Sequence, residues 1–336
     1  MKSDKVYLRC DGNRQIGLGH MYRLYALFNY LKDDFKVEFI IDKDSYFPFN
    51  KKDVAVNVLE VNSSSGNELE QVKSIVGEGD WVVLDGYHFG LEYEKALRDN
   101  GVHVMKIDDF CASTYAHIIV NQDPNIGRDE FPKDQEGYPV LKKTGTSNAL
   151  LRKAFSEETR KAPVLNQNGE VLVCFGGDPL CLGEKLISSL VDRPCVNKIH
   201  WLGSDLIFDR ISDISEKVKL HKNLSEEQII KLAKQCQLAC VPCSTIFQEL
   251  CCVGISIVCG YFIDNQSLPY NRYKQEEIFY PADELAQGLE DGSVVKLINR
   301  ILENFNLEEE MIIAQKQKEL FKHNFSQNYI QLLNEA

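Results

Sequence analysis

The residues best suited to chemistry begin at Arg9-Cys10-Asp11-Gly12-Asn13-Arg14-Gln15-Ile16-Gly17-Leu18-Gly19-His20. This run follows an apolar stretch and precedes an amphipathic one, so it reads as the turn between a first strand and a first helix. Gly17 and Gly19 allow close backbone approach or positive φ. His20 falls in the first turn of the helix, where a neutral imidazole facing a cleft can act as a general base; a histidine that only caps or packs there is the alternative. The run is not a dinucleotide fingerprint, because His20-Met21-Tyr22-Arg23 stand where GxGxxG needs its third glycine, and it has no GK[ST] of a Walker A loop.

Other polar clusters recur after apolar runs. Leu84-Asp85-Gly86-Tyr87-His88 ends one of them, and Tyr87 could position a water or a sugar hydroxyl. Asp108-Asp109 ends another and reads either as a metal or acid/base pair or as a helix cap. Cys174-Phe175-Gly176-Gly177-Asp178-Pro179 offers two glycines ahead of a helix, either a backbone cradle for phosphate or a plain tight turn. Ser244 and Thr245 suit an N-cap at the start of a helix whose amino end could take a diphosphate; Glu249, about one turn on, could accept from ribose hydroxyls. Asp264-Asn265-Gln266 adds one more polar turn.

The elements that must position these groups follow from the apolar runs. Short Val/Ile-rich stretches at 6–9, 37–41, 54–61, 81–85, 102–107 and 117–121 read as buried parallel strands. Amphipathic stretches at 21–31, 68–76 and 91–100 lie between them. The pattern lapses at 156–170 and restarts with strands at 171–174, 198–202, 218–221, 238–241 and 255–258 and helices at 225–233 and 245–252. This βαβα rhythm predicts two α/β domains, at 1–158 and 165–290, facing a cleft, then a helical tail over 291–336. Ligands of open parallel sheets bind beyond the carboxyl ends of the strands, where all of the clusters above fall.

Composition narrows the classes. The chain has 336 residues, 44 % hydrophobic and 26 % charged, as an ordinary globular protein has. The formal charge of −12 opposes non-specific nucleic-acid binding. No apolar run approaches a membrane span and the first residues lack the apolar core of a signal peptide, so a cytoplasmic protein is expected. Of the 11 cysteines only Cys240 and Cys243 form a CxxC, with no second knuckle. They read as reduced, mostly buried thiols. No carboxylate/histidine cluster has metal spacing, so neither a metal nor a cofactor is expected.

QIGLGH with Arg23 behind it, the DGY turn, Asp108-Asp109, the GGD turn, the run from Ser244 to Glu249 and Asn265-Gln266, in that order, resemble the PseG family, and the segment from Gly145 to Phe155, with Ala149-Leu150-Leu151-Arg152, also looks like that family's run at the end of the first domain. That family comprises UDP-2,4-diacetamido-2,4,6-trideoxy-β-L-altropyranose hydrolases of pseudaminic acid biosynthesis, related to MurG-like glycosyltransferases. The resemblance spans roughly residues 5–270 and implies the GT-B fold, two Rossmann-like domains with UDP held mainly by the second. It implies hydrolysis of a UDP-activated amino sugar at its anomeric carbon, with His20 as the base, Tyr87 placing the water and Asn265 reaching sugar or phosphate. Gly177 and Ser244 would lie at the diphosphate and Glu249 on the ribose. Asp11, Gly17, Gly19, Arg23, Asp108, Gly176, Asp178, Thr245 and Gln266 complete the implied substrate-binding set. The implied partner is a UDP-sugar, with no nucleic acid. Gly86 departs from the family, where a histidine is expected before the tyrosine, as do the residues after Gln266 and the long tail. The alternatives are a GT-B glycosyltransferase using a UDP-sugar donor, or a nucleotide-sugar binding protein without catalysis.

Overall fold

The computed structural model describes residues 5–13, 16–62, 65–176, 178, 180–203 and 215–335. The chain divides into two compact units, Met1–Leu150 with Asn324–Ala336, and Leu151–His323.

The first unit is built on a seven-stranded parallel sheet, β1 (Lys5–Cys10), β2 (Lys36–Ile41), β3 (Ala55–Val58), β4 (Trp81–Asp85), β5 (His103–Ile107), β6 (Ile118–Asn121) and β7 (Leu141–Thr144), in the order β3-β2-β1-β4-β5-β6-β7. The central strands are buried on both faces, which is why their sequences run almost without polar residues. Three helices connect strands, α1 (Gly19–Leu31), α2 (Glu68–Ile75) and α3 (Leu91–Asp99). Tyr7, Ile40, Val82, Leu84, Leu97 and Val104 belong to the core on one face of the sheet.

The second unit opens with α4 (Lys153–Glu158) and holds a six-stranded parallel sheet, β8 (Glu170–Val173), β9 (Lys198–Gly203), β10 (Val218–Lys222), β11 (Leu238–Pro242), β12 (Ser256–Tyr261) and β13 (Tyr280–Glu284), in the order β10-β9-β8-β11-β12-β13. Among the described residues its further helices are α5 (Leu182–Leu190), α6 (Glu226–Ala233), α7 (Thr245–Val253), α8 (Asp264–Lys274), α9 (Leu285–Glu290), α10 (Ser293–Glu303) and α11 (Leu307–Leu320). Helix α6 starts on a full capping box: Ser225 accepts from the Gln228 amide and the Gln228 side chain accepts from the Ser225 amide. The last helix, α12 (Phe325–Glu335), returns to the first unit, where Ser326 Oγ donates to the Tyr30 carbonyl at 3.1 Å and Tyr329 Oη to that of Asn148 at 2.7 Å. The helical tail is therefore shared between the units.

Both sheets have one topology. Counting strands from the start of each unit, both run 3-2-1-4-5-6, and the first adds a seventh strand. The order reverses between β1 and β4 in one unit and between β8 and β11 in the other. At such a switch point the loops leaving neighbouring strands diverge to opposite faces and leave a crevice. The sequence turns singled out above after β1, β4, β8 and β11 flank these two reversals.

Two strands differ from the sequence reading. β7 (LKKT) and β13 (YPADE) have no apolar run. Both lie at sheet edges, where one side needs no buried partner and polar residues and proline are tolerated. Residues 264–266 open α8 instead of forming an isolated turn. Every cysteine is free, and all but Cys181 and Cys195 are buried.

Candidate active site

The first switch point gathers five side chains. His20, in the first turn of α1, is buried, and its Nδ1 lies 2.7 Å from Asp85 Oδ1 at the end of β4. Arg23, one turn further along α1, donates from Nε and Nη2 to Asp85 at 3.0 and 2.6 Å. The other edge of its guanidinium donates to Asp109 at 2.9–3.1 Å. Tyr87 Oη donates to Asp109 Oδ2 at 3.1 Å, and its ring meets the His20 ring edge-on at a centroid distance of 4.8 Å.

The charges in this cluster set one another. Burial alone would raise the Asp85 carboxyl, but Arg23 and His20 overcome that and hold it down at about 2. Burial opposes the Arg23 charge too, and Asp109 and Asp85 outweigh it. Asp85 is thus a carboxylate and can only accept. A bare Nδ1 facing that oxygen at 2.7 Å would set lone pair against lone pair, so Nδ1 carries the ring proton. Arg23 Nη2, 3.0 Å from the same nitrogen, is then a neighbouring donor to Asp85. This tautomer leaves the Nε2 lone pair as the basic position, and no described side chain occupies it. An oriented, buried imidazole with one nitrogen fixed by a carboxylate is the arrangement a general base requires.

Sequence reasoning singled out His20, Arg23, Tyr87 and the Asp108-Asp109 pair, of which it placed Asp108 in the substrate set, but gave Asp85 no role. The available signal for Asp85 is a carboxylate ending the otherwise apolar run WVVLD. The paired aspartates part company in the fold. Asp108 accepts from the amides of Phe110 and Ser113 at 3.1 and 2.7 Å, closing its own loop, while Asp109 faces Arg23. Asp11 is likewise engaged within the protein. It is paired with Arg9 at 2.6 Å and accepts from the Asp42 amide and Ser45 Oγ, while His88 Nε2 lies 3.2 Å from its Oδ2, so it ties the β1, β2 and β4 loops together. Gly17, at φ +81°, closes the tight turn with its amide on the Asn13 carbonyl at 2.8 Å, and Gly19 opens α1. Gly86 has a packing reason: a Cβ there would lie 2.9 Å from the Phe89 ring. A histidine in that position does not fit this loop as it stands.

The second switch point is built from backbone. Gly176 stands at φ +65° with open space where a Cβ would project. Gly177 lies outside the described residues. Asp178 caps α5, accepting from the Leu182 and Gly183 amides at 2.7 and 2.8 Å, so its carboxylate is used within the protein. Ser244 precedes α7, but its hydroxyl turns back to the Pro242 carbonyl at 3.3 Å, and no side chain caps the helix. The Phe247 and Gln248 amides donate to the Ser244 carbonyl at 3.0 and 3.4 Å, so the anion-binding capacity of the α7 start rests on the amides of Thr245 and Ile246. Glu249, expected on a ribose, is buried with both carboxylate oxygens on Arg152, at 2.7 and 2.6 Å. Arg152 is the residue missed here, because it lies 97 positions away in sequence. At the start of α8, Gln266 Oε1 accepts from the Phe262 amide at 3.1 Å, and Asn265 Oδ1 is buried without a partner.

No family model matches the chain. A curated relative, the uncharacterized protein MJ1062 of Methanocaldococcus jannaschii, is 26 % identical over 294 residues, covering 80 % of this chain and 58 % of the relative. The chain thus spans little more than half the length of the curated relative it matches. Among solved structures, MurG of Acinetobacter baumannii superposes with a TM-score of 0.61 at 14 % identity, covering 99 % of each chain. The spinosyn rhamnosyltransferase SpnG gives 0.62 at 11 %, covering 99 % of this chain and 100 % of the other, and has also been solved with thymidine diphosphate and with spinosyn aglycone. The spinosyn forosaminyltransferase SpnP gives 0.62 at 11 %, covering 98 % and 99 %. No helix among the described residues is long and apolar enough to cross a membrane. Identities this low speak for architecture alone, and on that evidence the chain has the GT-B fold of these glycosyltransferases.

Proposed function

We propose that the chain is an enzyme that displaces the nucleoside diphosphate from a nucleotide sugar, UDP being the nucleotide, with His20 as general base and a hydroxyl compound as nucleophile. The observation that carries this reading is the His20–Asp85 pair at the β1/β4 switch point, with Nδ1 fixed and Nε2 basic. In the step, Nε2 takes the hydroxyl proton as the nucleophile's oxygen bonds to the anomeric carbon. The bond from that carbon to the phosphate oxygen breaks, and its electron pair leaves on the diphosphate. Asp85 stabilises the imidazolium formed, Arg23 holds Asp85 in place, and Tyr87, edge-on to the ring, guides the incoming oxygen. The diphosphate is assigned to the amides at the start of α7 and to the open turn at Gly176, where backbone dipoles take up the charge of the leaving group. Glu249, pre-ordered by Arg152, keeps lone pairs for ribose hydroxyls. Asn265 is assigned to the sugar or phosphate, its unpartnered Oδ1 able to accept from a sugar hydroxyl and its amide NH₂ to donate to a phosphate oxygen.

An alcohol acceptor, making the chain a glycosyltransferase, is favoured by the fold. Water in its place, making it a UDP-amino-sugar hydrolase of the PseG type in nonulosonic acid or surface-polysaccharide synthesis, is the second reading. It is favoured by the order of motifs from QIGLGH to Asn265 and by the burial of His20, which is only 6 % exposed and so admits a small nucleophile best. The deciding experiment measures UDP release from a panel of UDP-N-acetylhexosamines in buffer alone and with sugar or polyol acceptors. Release only with acceptor supports transfer, and equal release in buffer alone supports hydrolysis. Tight UDP-sugar binding with no release under either condition contradicts both.

A further inference from the structure

We propose that the second unit carries a binding site for a divalent transition metal of the zinc class, formed by Glu170, His200 and Cys236. Glu170 opens β8, His200 lies two residues into β9, and Cys236 sits in the turn two residues before β11. Each offers one ligand atom, and the three atoms lie within 4.8 Å of one another, the one such group among the described residues. The glycine turn after β8 and the start of α7 are at the other ends of these strands, so the site is separate from the nucleotide chemistry proposed above.

The local sequence explains the convergence. Along β9, Ile199 and Trp201 enter the core, so alternation turns His200 to the opposite face. Val171 and Val173 do the same on β8 and place Glu170 on the His200 side. His200 and Cys236 are buried, while the Glu170 side chain keeps 28 % exposure and supplies a path from solvent. No described residue hydrogen-bonds the Cys236 thiol, and His200 Nε2 lies 2.8 Å from Glu170 Oε2.

Cysteine, histidine and carboxylate are the ordinary zinc donors, at about 2.0–2.3 Å from the metal. Ligands at those lengths stand roughly 3.3–3.8 Å apart in a tetrahedron. Glu170 would need to withdraw by well under a side-chain length, which its partial exposure permits. A fourth position would remain for water. Behind the donors, His221 Nε2 lies 2.9 Å from His200 Nδ1. A metal-bound histidine characteristically gives its other N–H to such an acceptor, which fixes the ring. Coordination would thus direct the His200 proton from Nε2 to Nδ1 and on toward His221. It would form a metal–sulfur bond at Cys236, the thiol proton passing to solvent. Sequence spacing hides this set, because its members are 30 and 36 positions apart with no short knuckle.

The test is a titration of the full chain with Zn²⁺, and with Co²⁺ as the absorbing probe. One ion per chain, with a thiolate-to-cobalt charge-transfer band, is expected. Cys236→Ser should abolish the band, and His221→Gln should weaken affinity by about 10–100-fold while keeping it. Should Cys236→Ser fail to fold, Glu170→Gln at the partly exposed edge carries the test and should bind at least about tenfold more weakly. Absence of binding at millimolar metal, a cobalt complex without the thiolate band, or affinity unchanged in a folded Cys236→Ser or in Glu170→Gln each overturns the assignment.

Discussion

The two switch points share one strand order and use opposite materials. At β1/β4 the crevice is lined by side chains, His20, Arg23, Asp85 and Asp109, that pair with one another. At β8/β11 the corresponding loops present backbone, Gly176 and the uncapped start of α7, and the Arg152–Glu249 ion pair is buried within the unit. The contrast matches two tasks. Proton transfer needs a titratable group held in one tautomer, which the Asp85 carboxylate does here. Binding an anion that must later leave needs fixed dipoles without a permanent counter-charge.

Breaking the first region should be felt in both rate and stability. Asp85→Asn removes the carboxylate that orders His20 and leaves Arg23 under-neutralised. Turnover should fall by at least about 10²-fold. Stability should drop by about 3–5 kcal/mol, as when a buried pair loses one partner. Denaturant melts beside steady-state rates check this, and a variant with normal turnover would detach Asp85 from the base.

In the second region the same kind of change should act on the fold. Glu249→Ala removes the bidentate partner of buried Arg152, at an expected cost of about 3–5 kcal/mol in a melt without nucleotide. Adding Arg152→Met should recover much of that loss, because the buried guanidinium goes with it. If Glu249→Ala leaves the melt unchanged and weakens only UDP, the pair is not structural.

Most of this was legible in the sequence for the strands and much less for the site. β4 was read as Trp81–Asp85 and observed so, because a strand buried on both faces must be apolar throughout. β7 and β13 escaped because edge strands carry no such pattern. His20 was visible from its place after two glycines at a helix start. Its partner was not, because Asp85 lies 65 residues away and only the parallel pairing of β1 with β4 brings the two together. Asp108 and Asp109 look equivalent as letters. One closes its own loop and the other meets Arg23, a difference set by side-chain direction that adjacency cannot reveal.

A milder change sharpens the picture of the first region. Tyr87→Phe removes one exposed hydroxyl bond to Asp109. It should cost no more than about 1 kcal/mol in stability. A several-fold fall in turnover beyond that would support the placing role, and an unchanged rate would reduce Tyr87 to packing.

A last prediction concerns pH and stability alone. Burial, with help from Arg98 and His103, lowers His117 to about 4 from an ordinary value of 6.5, and its Nδ1 accepts from the Val104 amide. The folded state therefore binds fewer protons than the unfolded one between those values. The contribution of His117 is fully present above pH 6.5 and is lost as pH falls toward 4. His117→Gln should flatten the decline in melting temperature across that window; a parallel decline would assign it to other groups.

The most direct test of the central claim is the His20→Asn variant, measured for UDP release by single-turnover kinetics and for UDP affinity by calorimetry on one preparation. A fall in rate of about 10²–10⁴-fold, with UDP binding within twofold of the parent chain, is the predicted result. Near-normal turnover in a folded His20→Asn protein would contradict the assignment of His20 as the base.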